Sequence, residues 1–382
     1  MLTYFALEPE TLSPESFDKV WEHKNYLNKI VTFWRRHGAL YHSKESLRKF
    51  EEYIGRYTVL AEFKELCMTG LIRETSQNWD GHLPGPTENI ALEGLEIATA
   101  NESWRQRHEA TMPHIALTDS EMERDVPLTK NLKYTFIRDA SFSSWSKLKE
   151  REDLKNLVLN QTGSCLESAW DERIMPYVAA KTRKAEESKQ IVIYDIYALQ
   201  HLYAEFDSKH RTTHGITNSP ITFLARKISE SATESKVLTV ISGIKNLYTN
   251  PTTKKSSDAT PEDFNDLCDY LWKSIQRNGA NKNVKIERLI VYGIDSSGRG
   301  PASRHDRHLR VGCRHVFTLG PGIEALAPAT YRDCGDGSPS LRTCSDFSLK
   351  TQDQVRPYRD KEQEAIDSVK SGEFKFKVHL EK

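Results

Sequence analysis

Short apolar runs alternate with helical segments through the second half of the chain, and this alternation constrains the fold more than any other feature. Residues 190–195 and 236–241 are compact apolar runs of the kind found in strands buried within a sheet. Residues 198–206, 221–228 and 264–275 instead place their apolar side chains at helical spacing. This order of strands and helices predicts an α/β fold built on a mixed sheet.

The clearest helix start in this half lies at Thr260. A threonine is a favourable N-cap, Pro261 suits the first helical position, and Glu262 and Asp263 place negative charge in the first turn. The remaining apolar patterns predict strands at 284–292, 314–319 and 345–350 and a last helix at 358–370.

The first half of the chain has a different pattern, in which helices dominate the first 72 residues. After a short strand at 3–7, apolar spacing predicts helices at 14–35, 44–54 and 59–71, with Ser43 as the N-cap of the second. Later segments of this half predict strands at 90–99, 114–118 and 133–138, a charged helix at 141–160 and a polar linker at 181–189. We therefore predict a mainly helical α+β N-terminal domain (1–187) of unknown role, followed by an α/β C-terminal domain (188–382).

The overall composition excludes several classes of protein. Lys and Arg together number 54, as do Asp and Glu, so attraction to nucleic acid or anionic lipid must come from a local patch. No apolar run has the length of a membrane helix, and the N-terminus lacks the features of a signal peptide. The six cysteines suggest reduced thiols and a cytoplasmic protein. We expect neither a bound metal nor a cofactor, because acid-rich loops such as 119–125 are ordinarily solvated.

Between the strands predicted at 284–292 and 314–319, arginine and histidine residues are concentrated. The cluster comprises Arg304, His305, Arg307, His308 and Arg310. Imidazole serves as a nucleophile or an acid in phosphodiester chemistry, and the planar guanidinium group holds phosphate through paired hydrogen bonds. In α/β sheets ligands bind beyond the strand ends, where we expect residues 293–308 to form a loop.

Three segments together resemble a phospholipase D-like domain: residues 191–197 (IVIYDIY), the His305–His308 segment (HDRH) and residues 320–326 (GPGIEAL). More narrowly, the chain is similar to the domain at the C-terminus of MIT-domain proteins and to related bacterial proteins, some of them linked with phage defence. The resemblance covers residues 188–370, and the N-terminal half lies outside it.

The resemblance implies roles for the histidine and arginine residues. His305 stands at the position of the family's nucleophilic histidine, and Arg307 stands where the family has a phosphate-holding lysine. Gly312 occupies the position of the supporting aspartate, so that carboxylate is missing from the motif. We assign His305 and Arg307 as catalytic candidates and Arg304, His308 and Arg310 as phosphate-binding candidates. With one motif per chain, cleavage would require a homodimer that brings two histidines together.

Two functions follow from these observations. The first is a phosphodiester-recognising protein that binds nucleic acid, and cleaves it without metal if active, in a bacterial defence setting. The rival is a catalytically inactive phospholipase D-like scaffold that assembles partner proteins or docks on a membrane surface. The arginine cluster favours the first function, and the missing acid at Gly312 favours the second.

Overall fold

The computed structural model forms two compact units. The first contains residues 1–154 and 180–184, and the second contains residues 155–179 and 185–382. The structure describes residues 3–9, 28, 30–35, 38–55, 61–75, 95–98, 134–137, 156–161, 170, 174–180, 189–210, 219–244, 247–249, 256–257, 260–278, 284–294, 307–319, 322–323, 342–350, 352–370 and 376–381.

The N-terminal unit is built on a five-stranded sheet in which every pair of neighbouring strands is parallel. Its strands are β1 Thr3–Leu7, β2 Gly38–Ser43, β3 Leu71–Thr75, β4 Leu95–Ala98 and β5 Tyr134–Ile137. They lie in the order β3-β2-β1-β4-β5. Two of its helices are α1 Lys44–Gly55 and α2 Ala61–Thr69, as the apolar spacing predicted. This unit is therefore an α/β domain with a parallel sheet, whereas the sequence predicted a mainly helical α+β domain.

The difference arises at two short strands that the sequence did not predict, β2 and β3. Gly38, which follows the helix predicted at 14–35, is the first residue of β2. A Cβ there would lie 2.9 Å from the Trp34 Cα and 3.0 Å from the Phe5 ring, so close packing requires the glycine. The prediction for Ser43 is confirmed: its Oγ accepts the Ser46 backbone N–H at 3.2 Å at the start of α1.

The C-terminal unit contains a mixed eight-stranded sheet, as the sequence predicted in outline. The strands that form it are β6 Asn156–Gln161, β7 Gln190–Tyr194, β8 Lys236–Gly243, β11 Ile286–Ile294, β12 His308–Val311, β13 His315–Thr318, β14 Arg342–Lys350 and β15 Phe376–Glu381. Their order is β15-β11-β8-β7-β12-β13-β14-β6. Strands β7, β8 and β11 are parallel to one another, and the remaining pairs are antiparallel.

The helices of this unit are α3 Met175–Ala179, α4 Ala198–His210, α5 Pro220–Ser231, α6 Pro261–Asn278 and α7 Gln352–Lys370. The last four agree in position with predicted helices, whereas α3 was not predicted. Two very short strands, β9 Tyr248–Thr249 and β10 Ser256–Ser257, form a separate pair. At the start of α6 the Thr260 Oγ1 accepts the Asp263 backbone N–H at 3.2 Å, which confirms the predicted cap. No helix in the described parts of the chain is long and apolar enough to cross a membrane.

Residues 155–179 belong to the C-terminal unit, which places the division between units earlier than the predicted boundary at residue 187. Strand β6 pairs with β14 at the edge of the sheet, although residues 156–160 were predicted to be helical. The Trp170 indole donates to Ser231 Oγ at 3.2 Å, and the Thr233 hydroxyl donates to the Ala179 carbonyl at 2.7 Å. These contacts tie the segment to α5 and to the residues that follow it.

Candidate functional site

The strand order brings one described residue from each of the three segments that carry the resemblance, Asp195, Arg307 and Ile323, to one edge of the C-terminal sheet. Strand β12 runs antiparallel to β7, and its first residue, His308, pairs with Tyr194 at the carboxyl end of β7. Arg307 therefore lies beside Asp195, the residue that follows β7. The carboxyl ends of β8 and β11 meet the same edge, because both strands are parallel to β7. Ligands of α/β sheets bind at edges of this kind.

The carboxylate of Asp195 lies at the centre of this edge and contacts a residue from each of the three segments. The carboxylate accepts the backbone N–H of Tyr197 on Oδ1 at 2.9 Å and that of Ile323 on Oδ2 at 2.8 Å. The Nε atom of Arg307 lies 3.9 Å from Oδ1. We call Asp195, Tyr197, Arg307 and Gly322 the Asp195 cluster.

Arg307 is held in the cluster from two sides. The carbon of its guanidinium group lies 4.8 Å from the centre of the Tyr197 ring, a cation–π contact. The carboxylate of Asp195 flanks the same side chain, of which 14% remains exposed. A guanidinium group fixed in this way loses little conformational entropy on binding an anion, so the cluster is suited to phosphate recognition.

Gly322 lets the backbone approach this pair closely. Its φ angle is +97°, and a Cβ at this position would lie 2.5 Å from Asp195 Oδ2 and 2.9 Å from Arg307 Cδ. Both the backbone conformation and the contact distance therefore favour glycine. Gly322 therefore packs directly against the Asp195–Arg307 pair.

The side chain of Asp195 is 1% exposed, and burial raises the pKa of its carboxyl above the ordinary value. The backbone hydrogen bonds from Ile323 and Tyr197, and the charges of Arg307 and His201, lower that pKa but only in part. Burial thus disfavours the ionised form of Asp195, so the contribution of this residue to stability depends on pH.

We expect Asp195→Asn to change how stability depends on pH. A carboxyl whose pKa is raised on folding contributes stability below its unfolded pKa of about 4, and this contribution is lost as pH rises through the raised folded value. Asparagine does not ionise. In urea unfolding between pH 4 and pH 8, the wild type should therefore lose stability relative to the variant as pH increases. A difference in unfolding free energy that is the same at every pH would contradict this assignment.

His308 and Arg310 lie on β12, not in the loop expected at 293–308, and both side chains face Glu362 of α7. The Arg310 guanidinium binds Glu362 through Nε at 2.9 Å and through Nη2 at 2.7 Å. Its other hydrogen bonds go to Gln190 Oε1 at 3.1 Å and to the Gly312 carbonyl. His308 Nε2 lies 2.9 Å from Glu362 Oε1. We call His308, Arg310, Glu362 and Gln190 the Glu362 network.

The Glu362 network pairs the buried Arg310 guanidinium with a buried carboxylate. Burial alone raises the pKa of Glu362, but hydrogen bonds and charge from His308 and Arg310 outweigh it, so the net pKa is lowered. The ionised carboxylate can only accept hydrogen bonds, so His308 Nε2 is the donor of the bond between them. The imidazole also stacks on Tyr194, with ring centres 5.1 Å apart and planes 7° apart. These contacts indicate a structural role, and the predicted phosphate contacts of His308 and Arg310 would require the network to open.

The predicted site residues therefore fall into three groups. Arg307 lies at the edge of the sheet in the Asp195 cluster, and His308 and Arg310 lie in the Glu362 network. Arg304 and His305 lie outside the described residues. The motif lacks a carboxylate at Gly312, but the structure places carboxylates beside two other predicted site residues. Asp195 lies beside Arg307, and Glu362 lies beside His308. Asp195 was visible in the sequence as part of the IVIYDIY segment, whereas no local pattern marked Glu362.

The N-terminal sheet has its own carboxyl edge, with polar residues at the ends of β1 and β2. Glu8, His42 and Ser43 are all buried there, and the Oγ atoms of Ser43 and Ser46 lie 3.0 Å apart at the start of α1. Throughout the described residues, no group of three His, Cys, Asp or Glu side chains is placed to hold a metal ion. The acidic segment 119–125 lies outside those residues.

Comparison of the chain with protein-family models, curated proteins and solved structures finds no match. The function is therefore inferred from the geometry of the Asp195 cluster and from the sequence around it.

Proposed function

We propose that the C-terminal unit is a phospholipase D-like domain that recognises a phosphodiester-bearing partner at the Asp195 cluster, with nucleic acid favoured over lipid. The supporting observation is the fixed position of Arg307, between Asp195 and the Tyr197 ring at the carboxyl edge of three parallel strands. A role in bacterial defence belongs to the same proposal and rests on the resemblance alone. The cytoplasmic location, also proposed, rests on the reduced state expected of the six cysteines.

Two further candidate site residues are close to Arg307 in the chain. His305 precedes it by two residues, which limits the distance between their Cα atoms to about 7 Å. Arg304 is the next residue towards the N-terminus. In this proposal Arg307 and Arg304 hold the phosphate, and His305 is the candidate nucleophile. The Glu362 network fixes the strand that follows, so His308 and Arg310 support the site without contacting the ligand.

We expect Arg307→Ala to weaken binding of a fluorescein-labelled oligonucleotide by about tenfold or more, measured by fluorescence anisotropy. A hydrogen bond to a charged group contributes roughly 1.5–3 kcal/mol, and tenfold corresponds to 1.4 kcal/mol. Arg356→Ala is the matched control, because the Arg356 side chain is 89% exposed and contacts Asp360 on α7. Equal affinities for wild type and Arg307→Ala would remove the basis of the proposal. Parallel sedimentation with phosphatidylglycerol vesicles separates a nucleic-acid partner from a lipid surface.

Cleavage is a separate question from recognition, and His305→Ala addresses it. If the histidine is the nucleophile, the wild type cleaves an oligonucleotide in the presence of EDTA, because the family's chemistry needs no metal, and His305→Ala loses cleavage while retaining binding. The active species would be a homodimer, detectable by light scattering. Binding without cleavage in the wild type would contradict the assignment of His305 as nucleophile and leave the recognition of nucleic acid in place.

A further inference from the structure

We propose that the ligand of the Asp195 cluster is a single-stranded nucleic acid, one base of which stacks on the Arg307 guanidinium. This inference rests on the proposed function and specifies its substrate. The supporting observation is that the guanidinium group of Arg307 lies against the Tyr197 ring, a contact that phosphate recognition alone does not require.

Tyr197 acts as a rigid support for Arg307. The ring of Tyr197 packs against a core cluster that contains Tyr194, Ile196 and Ile294. Its backbone N–H is bound by Asp195 just before α4 begins. The ring therefore has a fixed position, and Arg307 lies against it at 4.8 Å. An aromatic ring attracts a guanidinium group and so holds it in one position.

A guanidinium plane supported in this way offers two kinds of contact at once. The N–H groups along its edge bind a phosphate, and its outer face accepts a flat apolar ligand. Unpaired bases present exposed faces and stack on arginine planes and aromatic rings. In a duplex these faces are covered by the neighbouring base pairs. The arrangement thus favours a single strand over a duplex.

The charge distribution points in the same direction. Duplex binding depends on several phosphate contacts made by a basic surface. The chain has no net charge, Arg310 is neutralised by Glu362, and Arg307 itself lies beside the Asp195 carboxylate. With so little net positive charge among the described residues of this edge, we expect stacking to supply part of the affinity.

Three labelled ligands with equal numbers of phosphates per strand test this inference: a single-stranded oligonucleotide, the same sequence as a duplex, and a strand of abasic sites. We expect the wild type to bind the single strand about tenfold more tightly than either of the others. Arg307→Lys keeps the charge but loses the plane, so its affinities for the single strand and the abasic strand should converge. Arg356→Lys, the matched control, should leave the tenfold ratio unchanged.

Each alternative outcome has a distinct meaning. If the wild type binds the abasic strand or the duplex as tightly as the single strand, the stacking inference is overturned and phosphate recognition stands. If Arg307→Lys retains the full tenfold ratio, the guanidinium is not the stacking surface and the inference also fails. If none of the three ligands binds, both the inference and the proposed function are wrong. Thermal unfolding of each variant verifies that it remains folded.

Discussion

Replacing Glu362 by alanine is expected to lower the free energy of unfolding by about 3–5 kcal/mol, the range measured when one partner of a buried ion pair is removed. The substitution leaves the buried Arg310 guanidinium without its carboxylate and takes away the hydrogen-bond acceptor of His308. An unpaired buried charge is costly because neither water nor a counter-charge replaces the lost interaction. Urea denaturation followed by circular dichroism gives the value directly.

The control for this prediction lies on the same helix. Asp360→Ala removes an exposed carboxylate that pairs with Arg356, and surface pairs of this kind contribute at most about 1 kcal/mol. Glu362→Gln should be less destabilising than Glu362→Ala, because its amide oxygen still accepts a hydrogen bond from Arg310. If Glu362→Ala were no more destabilising than Asp360→Ala, the Glu362 network would not hold β12 to α7.

The second large effect is expected at Gly322. Alanine there must adopt a φ angle of +97° and bring its Cβ against Asp195 Oδ2 and Arg307 Cδ. Backbone strain and overpacking each cost roughly 1–3 kcal/mol, so we expect a loss of about 3 kcal/mol in unfolding free energy. Because the substitution displaces Arg307, the variant should also bind the single-stranded oligonucleotide about tenfold more weakly. This is the effect expected when the charge-assisted hydrogen bond between Arg307 and a phosphate is lost.

A double-mutant cycle with Asp195→Ala separates the two causes of this loss. Removing the Asp195 carboxylate relieves the shorter of the two steric contacts but leaves the backbone strain and the contact with Arg307 Cδ in place. Gly322→Ala should therefore be less destabilising in the Asp195→Ala background, with a coupling energy of about 1 kcal/mol or more. Additive effects of the two substitutions would show that contact with the Asp195 carboxylate is not a reason why glycine is required at this position.

Local signals in the sequence were sufficient to predict most helices and the buried strands. The Thr260 cap with Pro261 located the start of α6, and the apolar runs located β7 and β8, because these features depend only on neighbouring residues. Strand β12 was not predicted, since His308 and Arg310 are polar residues at positions that alternation would assign to a surface. They are buried because both form hydrogen bonds with Glu362, which is 54 residues from His308. No local pattern reports a partner at that distance.

The N-terminal sheet illustrates a second limit. Gly38 follows a helical pattern, as a C-cap would, and the sequence does not distinguish that role from a glycine required by close packing against Trp34 and Phe5. The candidate site shows the same dependence on tertiary structure. The sequence identified Arg307 and the IVIYDIY segment separately, but only the antiparallel register of β12 and β7 places Arg307 beside Asp195.

The salt dependence of oligonucleotide binding tests the central claim, a direct contact between Arg307 and a backbone phosphate. For a single strand, each phosphate neutralised contributes about −0.7 to the slope of log K against log salt concentration. The account predicts that Arg307→Ala reduces the magnitude of the wild-type slope by about 0.7, while Arg356→Ala leaves it unchanged. A slope for Arg307→Ala equal to that of the wild type would show that Arg307 does not neutralise a phosphate.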